Sequence, residues 1–426
     1  MIRPLNHPPA TVAAPDPGSA TAVASAEPRR PVPSARTARI DAVDLLRGLI
    51  MAIMMLDHTR DFVHRDALSF DPANVARTFP MLFFTRWVTH FCAPLFVFLA
   101  GTAASFQEMR GRTKAELSRL LITRGLWLVA IELIVLRPLV FFNFHYDEML
   151  FFLQVIWAIG CSMVVLAAVI HLPRPGIILL SVVVIALHNT LDGFRPTHFA
   201  ALWQVLHQQG PLFPFGPPGH VVFVGYPLVP WMAVMSAGYA FGWIYREPES
   251  DRRRTLLLLG SCLVLGFVIL RSINVYGDPV PWTSQFGPTK TILSFLAVTK
   301  YPPSLLFLLM TLGTGILFLA FAERSARGRV ASFFITYGRV PFFFYVLQWV
   351  TAHSLAIAAS WMAGKPVAYL FSNFGIAGPL PPTNGIGFGL PVVYLLWLTG
   401  LILLYPLCRW FAAVKARRRD WWLSYL

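Results

Sequence analysis

Charged residues and cysteines are both scarce in this sequence. Only 13% of the 426 residues are charged, whereas soluble globular proteins contain about 25%. The four cysteines are far apart and form no CxxC pair, so we expect neither a disulfide framework nor a metal site. The low charge excludes an ordinary soluble enzyme, and the 56% of hydrophobic residues excludes disorder over most of the chain.

The charge that is present is strongly basic. The formal net charge is +15, from 35 Lys and Arg against 20 Asp and Glu. In a soluble protein this balance would suggest a nucleic-acid partner. Here the basic residues lie in short segments between apolar runs, which is the pattern that the positive-inside rule describes. We therefore predict membrane lipids, and no nucleic acid, as partners of the chain.

Apolar runs of helical length follow one another from residue 40 onward. A helix needs about 20 apolar residues to cross the bilayer core, and ten segments approach or exceed that length: 41–62, 80–106, 119–142, 149–171, 175–192, 221–246, 253–273, 302–322, 330–362 and 388–414. The sequence thus predicts an all-α, polytopic transmembrane helical bundle with about ten spans.

The distribution of lysine and arginine predicts the orientation. With the N-terminus in the cytoplasm, 23 of the 35 basic residues lie on the cytoplasmic side and ten on the far side, while Arg47 and Arg339 lie inside spans. This alternation predicts that both termini are cytoplasmic. Nine of the 11 histidines fall on the far side, so we expect titratable chemistry to concentrate in the outer half.

Three regions follow from these patterns. Residues 1–38 are rich in Ala and Pro and contain no apolar segment of the signal-peptide kind, so we expect a disordered cytoplasmic tail. Residues 39–415 form the transmembrane domain, and 416–426 form a basic and aromatic cytoplasmic C-terminus. A GxxxG pair, Gly238 and Gly242, predicts a place where two helices approach closely.

The first span carries ionisable residues along one helical face. Asp44, Arg47, His58 and Asp61 have the spacing of a single stripe. Ionisable groups are costly in lipid, so this stripe should face the bundle interior or a wet cavity. Arg47 and His58 are roughly 16 Å apart along the axis. Asp44 and Arg47 either bind a substrate or form a structural ion pair.

Two histidines are candidates for acid–base chemistry. His58 and Asp61 are at positions i and i+3, and a carboxylate on one imidazole nitrogen makes the other a better general base. In the second span, Pro94 frees the backbone carbonyl of His90, and such irregularity usually lines a cavity. The alternatives are an interfacial His58 and a His90 packed between helices.

Two later motifs open apolar helices. Lys300 and Ser304 belong to the segment Lys-Tyr-Pro-Pro-Ser on the far side. Arg339 lies just before Pro341 on the cytoplasmic side, and a helix N-terminus beside an arginine is a ready anion site. Ordinary helix capping and interface anchoring are the alternative for both motifs.

The order and spacing of these motifs resemble a known family. The resemblance is to bacterial members of the heparan-alpha-glucosaminide N-acetyltransferase catalytic-domain family, a branch of the transmembrane acyltransferase superfamily. It covers about residues 39–415 and rests on Asp44-x-x-Arg47-Gly48, Pro94-x-Phe96-x-Phe98-x-x-Gly101, Lys300-Tyr-Pro-Pro-Ser304 and Gly338-Arg339-x-Pro341. It implies an acetyltransferase that uses cytosolic acetyl-CoA as co-substrate, with no metal, and acetylates an amine or hydroxyl of a sugar-type acceptor across the membrane.

The catalytic residues of the lysosomal enzyme do not carry over directly. Its asparagine at the end of the first span falls at His58 here, its luminal histidine falls at Ser69 with His64 as the nearest candidate, and its acidic residue falls at His90. A more distant O-acyltransferase branch has a histidine at the end of its first span, which His58 resembles. The base is therefore His58 or His64.

The resulting hypothesis is acyl transfer through the membrane. His58, oriented by Asp61, acts as the base, and His90 stabilises the oxyanion or returns the proton. The predicted binding residues for CoA or the acceptor are Asp44, Arg47, Lys300, Ser304 and Arg339. Direct transfer and an acetyl-histidine intermediate fit equally.

The main alternative is a transporter or flippase of a lipid-linked or amino sugar, because intramembrane Asp, Arg and His also mark transport pathways. We expect a multi-pass protein of a bacterial inner membrane. The sequence leaves the acceptor, N- versus O-acylation and a possible homodimer open.

Overall fold

The computed structural model describes residues 35–67, 69–144, 146, 149–212, 221–372, 385–418, 420 and 423. The side chains of residues 35–40, 149 and 150 are not part of this description. Most of the predicted tail, 1–38, and of the predicted C-terminal segment, 416–426, lies outside the described residues, although the first helix begins at Ala35.

Helices dominate the described chain because apolar runs satisfy their backbone hydrogen bonds internally. The α-helices are α1 Ala35–Val63, α2 Pro80–Thr89, α3 Cys92–Met109, α4 Lys114–Ile131, α5 Arg137–Phe141, α6 Val155–Val169, α7 Arg174–Leu187, α8 Ala200–His207, α9 Leu228–Phe241, α10 Glu249–Ile273, α11 Pro288–Leu296, α12 Leu305–Ser325, α13 Arg329–Arg339, α14 Pro341–Met362 and α15 Leu390–Arg417. A π-helical segment, Glu132–Leu136, joins α4 to α5, and 3₁₀ turns cover His188–Leu191, Gly242–Arg246 and Ala368–Phe371.

A small β-sheet departs from the all-α prediction. Strand β1, Met149–Leu153, pairs in parallel with β3, Val221–Val224, and β2, Gly210–Leu212, pairs antiparallel with β3. The strand order is β1-β3-β2. The apolar runs at 149–171 and 221–246 were interpreted as continuous spans because a short apolar strand and a helix segment cannot be distinguished by periodicity. Each run contains a strand followed by a helix.

Six helical segments in the described residues are long and apolar enough to cross a membrane. They are Pro80–Met109, Arg174–Leu191, Glu249–Ile273, Leu305–Ser325, Pro341–Met362 and Leu390–Arg417. The predicted span 330–362 is in fact two helices, α13 and α14, because Val340 leaves the helical conformation immediately before Pro341. The count of about ten spans and the cytoplasmic placement of both termini stay predictions.

The first helix lies at the centre of the bundle. It packs against α2, α3, α12, α13, α14 and α15. Its contact with α13 is a close backbone approach: a Cβ added at Gly48 would lie 1.7 Å from the carbonyl oxygen of Phe334, and one added at Gly338 would lie 1.9 Å from that of Asp44. Only glycine fits at these two positions. Gly48 of the first motif packs against α13, and Gly338 of the last motif packs against α1.

The GxxxG prediction is confirmed by the packing of α9 on α3. A Cβ on Gly238 would lie 2.0 Å from the carbonyl oxygen of Phe98, and one on Gly242 would lie 2.5 Å from Cβ of Ser105. The predicted irregularity around Pro94 is also present, because α2 ends at Thr89 and α3 begins at Cys92. His90 therefore lies at a helix break inside the bundle.

Candidate active site

A cavity of about 390 Å³ opens among α1, α3, α4, α6, α14 and α15. Its wall is largely apolar, with Met51, Phe96, Leu128 and Met163 among the lining residues. Five basic side chains also line it, and we call them the basic cluster: Arg47, Arg110, Arg124, Arg339 and Lys415. Arg110 directly follows α3 and Lys415 lies in the last turn of α15, so the ends of these two helices border the same cavity.

Two arginines of this cluster, Arg47 and Arg339, are held in place by neighbouring carboxylates and by the α13 backbone. Nη1 of Arg47 donates to Oδ1 of Asp44 at 2.9 Å and to the carbonyl oxygen of Gly338 at 3.1 Å. Nη2 of Arg339 donates to Oδ1 of Asp41 at 3.1 Å. The predicted ion pair between Asp44 and Arg47 is therefore present, and it holds a guanidinium that also lines the cavity.

The N-terminus of α14 also faces this cavity. Pro341, Phe342 and Tyr345, all in its first two turns, belong to the lining. The first backbone N–H groups of a helix have no partner within the helix and form its electropositive end. The predicted association of Arg339 with a helix N-terminus is present, since Arg339 ends α13 one residue before α14 begins.

Residues of α14 also extend from the cavity toward His58. Tyr345, Gln348 and Trp349 have the i, i+3, i+4 spacing that places side chains on one face of α14. The ring of Tyr345 lies 6.4 Å from that of Trp349, and Trp349 stacks on His58 with ring centroids 3.6 Å apart and an interplanar angle of 19°. One face of α14 thus runs from the cavity wall to the candidate base.

The partner of His58 is a glutamine. Nδ1 of His58 lies 2.9 Å from Oε1 of Gln348. Asp61, the predicted partner, instead accepts from Nη2 of Arg60 at 2.5 Å and has a side chain that is 45% exposed. The predicted His58–Asp61 pair is therefore wrong, because Asp61 bonds instead to the adjacent Arg60 guanidinium, which is a fully charged partner.

Asp57, the residue before His58, carries a buried carboxylate that sequence reasoning did not single out. Both oxygens of Asp57 accept from Nη1 of Arg86, at 2.9 and 2.8 Å. Oδ1 of Asp57 also accepts from the hydroxyl of Thr89 at 2.8 Å and lies 2.8 Å from Nη2 of Arg60. We call Asp57, Arg60, Arg86 and Thr89 the Asp57 cluster. It joins α1 to α2 inside the bundle.

The structure brings His90 and Lys300 into electrostatic reach of this cluster. Asp57 interacts with Lys300 and His58, and His90 interacts with Arg86 and Lys300. His90 is 3% exposed and its Nδ1 makes no hydrogen bond. Lys300 is buried, with Nζ 5.1 Å from the ring centroid of Tyr301. Three predicted site residues, His58, His90 and Lys300, are therefore gathered around Asp57.

Ser304 has a structural role. Its hydroxyl accepts from the backbone N–H of Phe307, as the N-cap of α12, and donates to Oδ2 of Asp278 at 2.7 Å. The side chain is fully buried. These two bonds show that Ser304 caps α12 and anchors Asp278, while its binding of substrate stays a prediction.

His64, the alternative base, lies just after the end of α1. Its Nδ1 accepts the backbone N–H of Asp66 at 3.2 Å. This bond leaves the proton on Nε2, so that the free lone pair a base needs is already occupied. Burial also lowers the pKa of His64.

Glu132 shapes the apolar wall of the cavity. Its Oε2 accepts the backbone N–H of Trp157 at 3.2 Å. Trp157 is the third residue of α6, so the Glu132 carboxyl caps the N-terminus of a neighbouring helix. Val155 and Ile156 of the same turn line the cavity. The buried acid of the third predicted span thus positions α6.

A mainly helical bundle, with apolar helices of membrane-spanning length and a cavity whose α14 wall continues to His58, defines the class as a helical membrane protein. The family model described as "Heparan-alpha-glucosaminide N-acetyltransferase, catalytic" matches residues 39–274, and the chain belongs to this family. Membership indicates membrane acetyltransferase activity. A search of curated proteins finds no match.

The matched range covers α1 to α10 and includes the first two motifs, His58, His90 and the Asp57 cluster. Gln348, Trp349, Arg339 and Lys300 lie beyond it. Sequence reasoning missed Gln348 and Trp349 altogether. The signal that could have found them is their i, i+3, i+4 relation to Tyr345, on the helix that begins at Pro341.

Proposed function

We propose that this protein transfers an acetyl group from cytosolic acetyl-CoA to an amine or hydroxyl of a sugar-type acceptor on the other side of a bacterial inner membrane. The observation that carries the proposal is the face of α14. Tyr345 of this face lines a cavity with five basic side chains, and Gln348 and Trp349 of the same face hold His58.

The basic cluster suits the donor. Diphosphate and phosphate groups are attracted by several convergent cations and by a helix N-terminus, and Arg339 with the start of α14 supplies both. The pantetheine arm is an uncharged chain that fits the apolar lining between α3, α4 and α6. We propose that Asp44 acts in donor binding by orienting Arg47 rather than by touching the donor.

His58 is the proposed base. With Oε1 of Gln348 as acceptor, Nδ1 of His58 carries the proton and Nε2 has a free lone pair. Nε2 removes the proton of the acceptor group as its nitrogen or oxygen bonds to the thioester carbonyl carbon. The carbon–sulfur bond then breaks and the CoA thiolate leaves. Stacking on Trp349 favours the imidazolium that forms, because a cation over an indole face is stabilised.

The buried cationic and imidazole groups suit the developing oxyanion. Lys300 and His90 lie within electrostatic reach of one another and of Asp57. We propose that they stabilise the negative oxygen of the tetrahedral intermediate and return a proton to the leaving sulfur. Asp61 is left without a catalytic step here, since it pairs with Arg60 near the surface.

The acceptor would bind on the same side as Lys300. Its neighbour Tyr301 meets Tyr226, with hydroxyl oxygens 3.4 Å apart. Tyrosines offer an apolar ring for a sugar face together with hydroxyls for its polar edge. The name of the family suggests an amino sugar as the first acceptor to test.

The test is the turnover of radiolabelled acetyl-CoA by purified protein in detergent with a panel of amino sugars. We expect label on a sugar with the wild type, and a rate lower by about 10² to 10⁴-fold for His58→Ala, which is the usual contribution of a general base. His198→Ala is the matched control because His198 is an exposed histidine. His64→Ala should stay near the wild-type rate.

Full turnover by His58→Ala would overturn the assignment of the base. Uptake of a sugar into proteoliposomes without consumption of CoA would favour the transporter or flippase instead. Radiolabelled acetyl on the protein in the absence of acceptor would indicate an acetyl-histidine intermediate, whereas its absence alongside normal turnover would indicate direct transfer.

A further inference from the structure

We propose that His188, Asp192 and His207 form a binding site for one divalent transition-metal ion, of the Zn²⁺ class, outside the acyl-transfer site. His188 starts the 3₁₀ turn that ends α7, Asp192 follows that turn, and His207 is the last residue of α8. One potential ligand atom from each residue lies within 4.8 Å of the other two.

Several buried polar atoms of these three side chains have no hydrogen-bond partner. His188 and His207 are each 2% exposed. Neither ring nitrogen of His188 makes a hydrogen bond of standard geometry, and Oδ1 of Asp192 is a buried oxygen with no hydrogen-bond partner. Burying polar atoms without partners is costly. A single cation bound between two imidazoles and a carboxylate would give a partner to one ring nitrogen of His188 and to Oδ1 of Asp192, and this donor set suits zinc.

An asparagine orients the carboxylate in the way that surrounding residues orient metal ligands. Nδ2 of Asn189 donates to Oδ2 of Asp192 at 2.8 Å. The other oxygen, Oδ1, is thereby left toward Nε2 of His207, 3.8 Å away. Asn189 is itself fixed, because its Oδ1 accepts the backbone N–H of Leu305 at 2.8 Å. In metal sites, the side chains that bind the ion are typically held by hydrogen bonds of this kind.

The ligands need only a modest contraction to bind an ion. Zinc–nitrogen bonds of about 2.0–2.1 Å in a tetrahedron place ligand atoms about 3.3 Å apart. Without the ion, Nε2 of His207 lies 2.8 Å from the carbonyl oxygen of His188 and donates to it. On binding, the proton of the neutral His207 ring shifts to Nδ1, and Nε2 exchanges its hydrogen bond for the metal. Water completes the coordination.

Such an ion would tie the outer segment 192–207 to the start of α12. Asn189 contacts Leu305 at the N-terminus of α12, and Ser304 beside it is held by Asp278. The expected role is therefore structural. This inference does not depend on the proposed acetyl transfer, and it is an alternative to the expectation that the protein holds no metal.

The experiment measures Zn²⁺ and Co²⁺ binding to the full chain, purified in detergent without a polyhistidine tag and stripped with a chelator. We expect about one ion per chain by elemental analysis and a Co²⁺ absorption band in the visible region. Asp192→Asn, His188→Gln and His207→Gln should each weaken binding at least tenfold, and Asn189→Ala about tenfold. His198→Gln, an exposed histidine six residues beyond Asp192, is the control and should bind as the wild type does.

Thermal unfolding separates loss of the site from loss of the fold. Zn²⁺ should raise the Tm of the wild type and of His198→Gln but not that of Asp192→Asn. The proposal is overturned if the folded wild type binds no ion, or if the Asp192 and His207 variants bind as tightly as the control.

Discussion

At its Arg47 end, α1 leaves charge open to a cavity, whereas at its Asp57 end it encloses charge inside the bundle. The Arg47 side chain is 18% exposed and has one carboxylate neighbour, Asp44. The Arg60 side chain is 2% exposed, and Asp57 is shared between Arg60, Arg86 and Thr89. An open cation can attract a mobile anion, while an enclosed network fixes geometry. The two ends should therefore respond differently to mutation.

The largest expected effect is on stability at the enclosed end. Asp57→Ala leaves Arg60 and Arg86 buried without their shared carboxylate, and removing one partner of a buried ion pair costs about 3–5 kcal/mol. We expect a large drop in the thermal unfolding temperature in detergent. Asp71→Ala is the matched control, because Asp71 meets Arg86 only at 3.9 Å and is 64% exposed. Equal stability of the two variants would contradict an enclosed network.

A smaller loss of stability is expected where α1 meets α13. Gly338→Ala forces a methyl group against the backbone of Asp44, and overpacking of this kind costs about 1–3 kcal/mol. It should also displace the carbonyl oxygen that holds Arg47. Gly266→Ala is the control, since its added Cβ would have Leu309 at 3.8 Å as its nearest neighbour. A Gly338 variant that unfolds like the Gly266 variant would show that the helices can separate freely here.

An effect on catalysis without loss of fold is expected at Gln348. Gln348→Leu removes the hydrogen bond that sets the His58 tautomer, and a bond of about 1–1.5 kcal/mol corresponds to roughly a tenfold loss in kcat. The KM for acetyl-CoA should change little. Gln348→Glu should recover part of the rate because a carboxylate also accepts from Nδ1. The comparison is made by steady-state kinetics. An unchanged kcat for Gln348→Leu would show that this hydrogen bond does not affect His58 as a base.

The smallest effect is expected at the open end. Arg339→Ala should raise the KM for acetyl-CoA a fewfold and leave kcat unchanged, because partly exposed charge pairs are each worth about 0–1 kcal/mol. The difference from the wild type should shrink as salt is added. Arg112→Ala, an exposed arginine that does not line the cavity, is the control. A Tm loss as large as that of Asp57→Ala would erase the contrast between the two ends.

The predicted stripe on α1 faces the interior only in part, because the Asp61 side chain at its end is 45% exposed. Two other predictions from spacing within one helix are confirmed: Asp44 pairs with Arg47, and the GxxxG face of α9 packs closely on α3. Each depends on residues three or four positions apart on one helix, which the geometry of the α-helix fixes in advance. The break at His90 also followed from the local chemistry of Pro94.

Predictions of side-chain partners were less successful. Asp61 has the right spacing to meet His58 within α1, but it pairs with Arg60, and Gln348, 290 residues along the chain, takes its place. Asp57 lies beside the stripe in the sequence, and its partners Arg86 and Thr89 come from α2. The strands β1 and β3 were likewise hidden, since they pair across about 70 intervening residues.

By itself the sequence determined that the chain is a mainly helical, membrane-type protein, and it carried the motifs of its family. Hydrophobic length, helical period and charge are local properties that need no partner. Only the tertiary structure decided which side chains meet: the basic cluster around one cavity, Gln348 and Trp349 on His58, and the trio of His188, Asp192 and His207. These contacts depend on the relative position and rotation of packed helices, which close-packed surfaces fix together and no single segment encodes.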